Sequence, residues 1–414
     1  MTLPGICKNH FLSGFLIVLI AFISASGQTP QGTVPYAEST RSSTSSSASS
    51  SSSGTSAPAA NATGQPAAPT AAQAADPTAG MHKPYQIPGI DPRTGVPLYE
   101  TIQEDWSSLQ VGTSKLEPAP PLIAQVDEME NFTRTLVQLQ WRPGDPMDLY
   151  VIMPKGVKNP PAVLYLFSYK DDTDRFKDNG WCERATREGV AAVGMVSALS
   201  GHRFQSRPLE QWFVSELQES LGSTVHDVKF ILDYLAQRGD IDMSRIGMFG
   251  QASGGAIALL AAAADPRLKA VDVLDPWGDW PVWLAKSPIV KEDIHRTNFA
   301  QLDFLKKVEN LDPVKWLPTL KSTHLRIQQV MGNVATPDEC KAAIRNAAPK
   351  NAEVVRYDNV RDLAKTATEG HLFDWVKATV KDLPAAAGAG SVLSTQNDSQ
   401  REESAQHETT SQLE

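Results

Sequence analysis

Short apolar runs alternate with helix-like segments through the middle of this chain, and that alternation constrains the fold more than any other feature. "AVLYLF" (Ala162 to Phe167) and "GVAAVGMVSA" (Gly189 to Ala198) are continuous apolar runs. They suit strands buried on both faces of a parallel sheet rather than strands with one wet face. A helical stretch around Trp181 to Glu188 separates them. Further on, "STVHDVKFILDYLAQRG" sets Val225, Val228, Ile231, Leu232 and Leu235 at helical spacing. Ser223 or Thr224 is the expected cap, Asp227 falls in the first turn and Gly239 follows the end. Strand "RIGMFG", helix "SGGAIALLAAAA", strand "KAVDVLD", strand "LRIQQVMG", helix "DECKAAIRNA", strand "AEVVRYD" and helix "HLFDWVKATVKDL" continue the pattern.

Ahead of these, "FTRTLVQLQW" (Phe132 to Trp141) and "MDLYVIMP" (Met147 to Pro154) alternate apolar and polar residues about the turn "RPGDP", which reads as a hairpin. The expected fold is therefore α/β: an antiparallel start, then a mostly parallel sheet flanked by helices. Between 276 and 324 the alternation breaks, and that insert reads as a helical cap over the carboxyl edge of the sheet.

Only part of the 414 residues can join such a core. Residues 1–27 carry Lys8, an apolar run from Phe15 to Ile23 and small residues Ala25, Ser26 and Gly27, the pattern of a secretory signal peptide. The run is shorter than the roughly 20 apolar residues a spanning helix needs, although an uncleaved anchor is the alternative. Residues 28–80 are rich in Ser, then Ala, Pro and Thr, and 385–414 are polar and acidic. Neither segment has the large apolar groups that offset the entropy of ordering, so a disordered tether and tail are expected around one domain at 81–384. The first part of that domain, to about 120, is rich in Pro and Gly and reads as an extended arm. The expected location is secreted, periplasmic or cell-surface.

Net charge is −9 without a dense basic block, which argues against nucleic acid or an anionic membrane surface as partner. Cys7 falls in the signal segment; Cys182 and Cys340 lack metal-ligand spacing, so no metal or other cofactor is expected. The two could pair in an oxidising compartment or remain buried thiols.

The stretch "RIGMFGQASGG", Arg245 to Gly255, stands at a strand end and a helix start. With the preceding "DVKFILDYLAQRGDIDMSRIG", the following "GQASGGAIALLAAAADPRLKAV" and the later "GHLF", it resembles the α/β-hydrolase superfamily over residues 130 to 384, and within it the prolyl-oligopeptidase and acetyl-esterase-like branches. The resemblance implies an α/β-hydrolase fold and a serine hydrolase acting on an ester or short peptide. Ser253 would be the nucleophile, His371 the base, and Asp338 or Asp275 the carboxylate that orients it. Backbone groups near Ser168, Tyr169 and Gly254 would supply the oxyanion donors.

The chain departs from the family at the parts that do chemistry. The elbow motif Gly-x-Ser-x-Gly, aligned on Gly250 and Gly254, puts Ala252 where the nucleophile belongs; aligned on Ser253, it puts Gln251 where a small residue belongs. The first alignment fits the turn better, and it leaves Ser253 one residue into the helix. In the acid loop Gly332-Asn333-Val334-Ala335, Ala335 stands at the carboxylate position. Asp338 also reads as a helix cap, Asp275 as a strand terminator, and Phe167-Ser168-Tyr169-Lys170 replaces a His-Gly pair. A second class of function is thus a catalytically degenerate fold that binds a ligand or partner, and a third is a displayed adhesive module. His202 and Arg203, after a strand's carboxyl end, are expected to line a pocket or a solvated loop. Trp277, Trp280 and Trp283 either present a stacking surface or pack the cap.

Overall fold

The computed structural model describes residues 104–385, apart from 113, 115, 143, 170–173, 202, 204–211 and 291–292. The signal segment, the tether, the first part of the arm, His202 and the tail beyond 385 lie outside the described residues.

Among the described residues, nine strands form one sheet in the order β1-β2-β3-β5-β4-β6-β7-β8-β9. They are β1 (Leu122–Glu128), β2 (Phe132–Leu139), β3 (Met147–Pro154), β4 (Ala162–Leu166), β5 (Ala191–Met195), β6 (Ile246–Gln251), β7 (Leu268–Leu274), β8 (His324–Val330) and β9 (Glu353–Tyr357). The hairpin forms as expected, with Phe132 opposite Pro154 and Leu139 opposite Met147. β3 also pairs antiparallel with β5, and from β5 to β9 every neighbouring pair is parallel. β1 is an edge strand that the sequence pattern does not announce. Its residues are almost all exposed, so it carries no core-facing alternation.

The parallel strands are buried on both faces because successive side chains enter two different cores. On β4, Ala162, Leu164 and Leu166 join one cluster with Val228, Ile231 and Leu259, while Val163 and Tyr165 join the other with Trp181, Phe373 and Val376. Cys340 belongs to the first cluster and Cys182 to the second. Both are buried and free, on opposite faces of the sheet, which keeps them from pairing.

The helices covering these faces are α1 (Asp174–Lys177), α2 (Asn179–Thr186), α3 (Leu217–Arg238), α4 (Ser253–Ala264), α5 (Trp280–Lys286), α6 (Asp293–Phe299), α7 (Leu302–Val308), α8 (Pro313–Trp316), α9 (Asp338–Ala347), α10 (Val360–Thr368) and α11 (Asp374–Asp382). α3 ends at Gly239 with φ +70°, as expected. It begins at Leu217, however, so Ser223 and Thr224 are interior rather than caps. Buried Leu217, Ser220 and Leu221 extend its packed face toward the amino end. Each of those two hydroxyls instead donates back within the helix, to Glu219 O and Ser220 O, both at 2.5 Å.

The insert after β7 is helical, as expected. Its Trp280, Trp283, Val308 and Leu317 share the core cluster of α3 and α4, so it packs on that helical layer. None of the described helices is long and apolar enough to cross a membrane.

Candidate functional site

β4 has β5 on one side and β6 on the other, so the connections leaving the carboxyl ends of β4 and β6 diverge to opposite faces. That divergence opens a crevice at the topological switch point of the sheet, where open α/β sheets take their ligands. Ser168 follows β4 there, and Gln251 closes β6.

The turn from β6 into α4 is held by two glycines. A Cβ on Gly250 would meet Gly254 O at 2.3 Å, and one on Gly254 would meet Leu166 O at 2.2 Å. Both positions therefore need a residue without a side chain, which fixes the register of the motif on Gly250 and Gly254. Between them Ala252 has φ +53° and ψ −114°, a region that residues with a Cβ rarely occupy. Its N–H donates to Leu274 O at 2.9 Å, and its carbonyl accepts from Trp277 N at 3.2 Å. The tip of the elbow is thus an alanine.

Ser253 is the first residue of α4 and is fully buried. Its Oγ accepts the backbone N–H of Tyr169 at 2.8 Å. Tyr169 itself is buried against Phe213 and Trp277, with ring centroids 5.2 Å and 5.6 Å away, and burial pushes its phenol up to about 12.

A cavity of about 50 Å³ lies over the elbow. Ser168, Gln251, Asp275 and Asn333 are its polar lining residues, and Ala252, Leu274, Trp277 and Val330 are among its apolar ones. Two polar atoms on residues of this wall, Ser168 Oγ and Trp277 Nε1, are buried without a hydrogen-bond partner. Asp275, with φ +44°, accepts from Val330 N at 2.9 Å and from Asn333 Nδ2 at 2.7 Å. Burial pushes its carboxyl up to about 6 despite those two bonds.

Each remaining candidate has a partner elsewhere. His371 Nδ1 meets Asp374 Oδ2 at 2.7 Å at the surface, where the histidine side chain is 63 % exposed. It is not among the residues lining the cavity. Asp338 is neither the cap of α9, a place held by Pro337, nor part of the cavity. It accepts from Lys341 Nζ at 3.2 Å with its own side chain 69 % exposed. Ser253, His371, Asp338 and Asp275 are thus each bonded to a different neighbour: Tyr169 N, Asp374, Lys341 and Asn333.

Arg203 is buried rather than solvated. It belongs to an ion network, with Nη1 donating to Asp227 Oδ2 at 2.7 Å and Nε to Asp145 Oδ1 at 2.9 Å. Arg142 joins this network through Asp227 and through Glu104 Oε1 at 2.6 Å. His226, also buried, places Nδ1 2.6 Å from Glu104 and Nε2 2.9 Å from Ser108 O. Asp227 is therefore a mid-helix anchor rather than a first-turn residue. The tryptophans of the insert pack inward: Trp280 donates to Leu311 O at 2.8 Å, Trp283 to Ala335 O at 3.1 Å, and Trp277 lies 4.4 Å from Trp283. They offer no exposed stacking surface.

Sequence reasoning missed Asn333 as the partner of Asp275 and missed Val360 and Leu363, which line the cavity from α10. The signal for α10 was present. Asn359 caps it, with Oδ1 accepting from Arg361 N and Asp362 N, and Leu363 and Ala367 fall on one buried stripe.

No protein-family model matches the chain. The Bacillus subtilis (strain 168) protein YtaP, which bears a hydrolase name, is 27% identical over 154 residues, covering 34% of this chain and 51% of that protein. The 2,6-dihydropseudooxynicotine hydrolase of Paenarthrobacter nicotinovorans is 24% identical over 209 residues, or 50% of each chain. The chain spans about half the length of the curated relatives it matches. Among solved structures, the acetyl xylan esterase from Paenibacillus sp. R4 shares the fold with a TM-score of 0.50 at 18% identity, over 64% of this chain and 89% of that one.

Proposed function

Taking as premise that this chain is an α/β-hydrolase-fold protein, we propose that it uses the crevice at the ends of β4 and β6 to bind a ligand or partner, and does not cleave one by serine chemistry. The observation that carries this reading is Ala252 at the strained tip of the elbow. Acyl transfer at that place needs a hydroxyl oxygen there, a base beside it and free backbone donors for the oxyanion. Ala252 has no oxygen, Ser253 Oγ is engaged by Tyr169 N, and His371 is paired with Asp374 away from the cavity. The signal-like segment at 1–27 supports an exported module.

The test is labelling of the mature protein by a fluorophosphonate, beside Ser253→Ala and with p-nitrophenyl acetate turnover in parallel. No labelling and no turnover in a folded sample is expected. Labelling that vanishes in Ser253→Ala would establish the second reading, a serine hydrolase of esters or short peptides with a shifted elbow. That reading is favoured by the hydrolase names of both curated relatives.

A further inference from the structure

The end of β2 and the middle of α3 enclose a second trough, which shares no lining residue with the crevice. Its volume is about 390 Å³, within the roughly 300–1,000 Å³ that small-molecule sites occupy. Phe230, Asp233, Tyr234 and Gln237 form one wall, at i, i+3, i+4 and i+7 on α3. They make a stripe beside the buried one of Val228, Ile231, Leu232 and Leu235, and its two aromatic residues are only half-buried. Trp141 stacks on Phe230 with ring centroids 5.0 Å apart, and its indole donates to Asp227 Oδ1 at 2.9 Å, so the aromatic floor is held in place.

The hydrogen-bonding inventory of the trough is one-sided. The facing wall, residues 118–121, is Pro-Ala-Pro-Pro, and its one N–H, on Ala119, is spent on Gln140 O at 2.7 Å. That stretch offers carbonyl oxygens alone. Gln140 turns its amide nitrogen to Arg142 O, 3.2 Å away, which leaves Oε1 to accept. Asp233 adds a carboxylate. The donors are the Tyr234 hydroxyl and the amide of Gln237, which has no partner among the described residues. Charge is already balanced, because Asp233 lies 3.1 Å from Lys229 Nζ and 2.8 Å from Arg267 Nη1. A cationic ligand thus finds no unpaired carboxylate among the described lining residues, and a proline-rich peptide, poor in N–H groups, leaves the acceptors unmatched.

We infer that this trough is a binding site for a neutral sugar ring, with Phe230 and Tyr234 under its C–H face and Asp233, Gln140 and Gln237 at its hydroxyl rim. A sugar supplies both halves of the match. Each hydroxyl donates as well as accepts, which suits a surplus of acceptors. A ring whose hydroxyls are all equatorial leaves a flat C–H face for the aromatic floor, and β-linked glucose has that form.

Cellobiose is the probe, with mannitol as a polyol that lacks a ring face and tetraproline as the competing class. Each is titrated against the mature chain and followed by saturation transfer from protein to ligand. Cellobiose is expected to bind saturably in the millimolar range, as suits a small ligand in an open trough, with the strongest transfer on its axial ring C–H protons. Tyr234→Ala should weaken it about threefold to tenfold, whereas Tyr234→Phe, which keeps the ring, should bind within about twofold of the unaltered chain. Gln237→Ala should weaken it about twofold to tenfold. Ser168→Ala, in the crevice, should leave it unchanged. The inference is overturned if cellobiose shows no saturable transfer, if mannitol or tetraproline binds as well, if Tyr234→Ala binds unchanged, or if Ser168→Ala abolishes binding and so places the sugar in the crevice. Fluorophosphonate labelling and ester turnover judge the crevice reading separately, so either claim can fail without the other.

Discussion

The hydroxyl of Ser253 accepts the backbone N–H of Tyr169 at 2.8 Å, tying the first residue of α4 to the loop after β4. In a working hydrolase of this fold, backbone donors of that loop face the oxyanion. Here a side chain of the protein occupies one, and the same bond draws Ser253 Oγ into a buried position. Ser253→Ala would leave the Tyr169 N–H buried and unmatched, so a loss of about 1–3 kcal/mol is expected in urea unfolding, with ester turnover still at background.

Placing a hydroxyl at the tip of the elbow tests the same relationship from the other side. Ala252→Ser should fold, because serine and alanine share the cost of the backbone at φ +53°. It should remain inactive toward p-nitrophenyl acetate, since His371 stays with Asp374 and Tyr169 N with Ser253. Turnover appearing in this variant would mean that a base reaches the cavity.

The glycine on the far side of the turn should be far less tolerant. A Cβ on Gly254 would sit 2.2 Å from Leu166 O, a backbone atom with no freedom to rotate aside. Gly254→Ala is expected to cost about 3 kcal/mol or more, read as a lowered unfolding midpoint. Gly144→Ala is the comparison: nothing lies within 4 Å of its Cβ, so its cost comes from its φ of +71° alone and should be smaller.

Asp275 gives a pH dependence of definite sign. Its folded value, about 6, lies above its usual 3.8, because burial penalises the charged form. The folded protein therefore holds this proton more tightly than the unfolded chain does. The favourable contribution is complete below about pH 4 and is lost as pH rises through 6, amounting to about 3 kcal/mol. Asp275→Asn should flatten stability between pH 4 and 6 and raise it at pH 7 to 8, as followed by thermal unfolding across that range.

Glu104 has the opposite sign. Burial alone would raise its carboxyl, but hydrogen bonds from Arg142 and His226 outweigh that and bring it down to about 2 from its usual 4.5. The contribution is present above about pH 4.5 and is lost as pH falls toward 2. At neutral pH, Glu104→Gln should cost about 3–5 kcal/mol by leaving Arg142 and His226 without their buried carboxylate. Proteolysis of the arm around Trp106 should rise with it, because Glu104 and Ser108 hold that segment to His226.

The sequence by itself determined the sheet. Continuous apolar runs at Ala162–Leu166 and Ala191–Met195 can be buried on two faces only inside a covered parallel sheet, and Gly250, Gly254 and Gly255 announce a tight strand-to-helix turn at a known place. It also raised the question of Ala252 against Ser253, since both registers of the motif could be written down. The choice between them was made by backbone contact, because only folding brings Leu166 O against Gly254 and the loop after β4 against Ser253.

The same is true of the charged and polar residues that periodicity cannot place. Asp227 reads as a helix-turn acid, yet it is buried between Arg142 and Arg203, 85 and 24 residues away in the chain. His371 keeps its motif but lies at the surface with Asp374. Patterns of 2 and 3.6 residues record which side of an element faces a core. Which polar groups meet across elements depends on long-range closure of the chain, and for this protein that closure decides what the crevice can do.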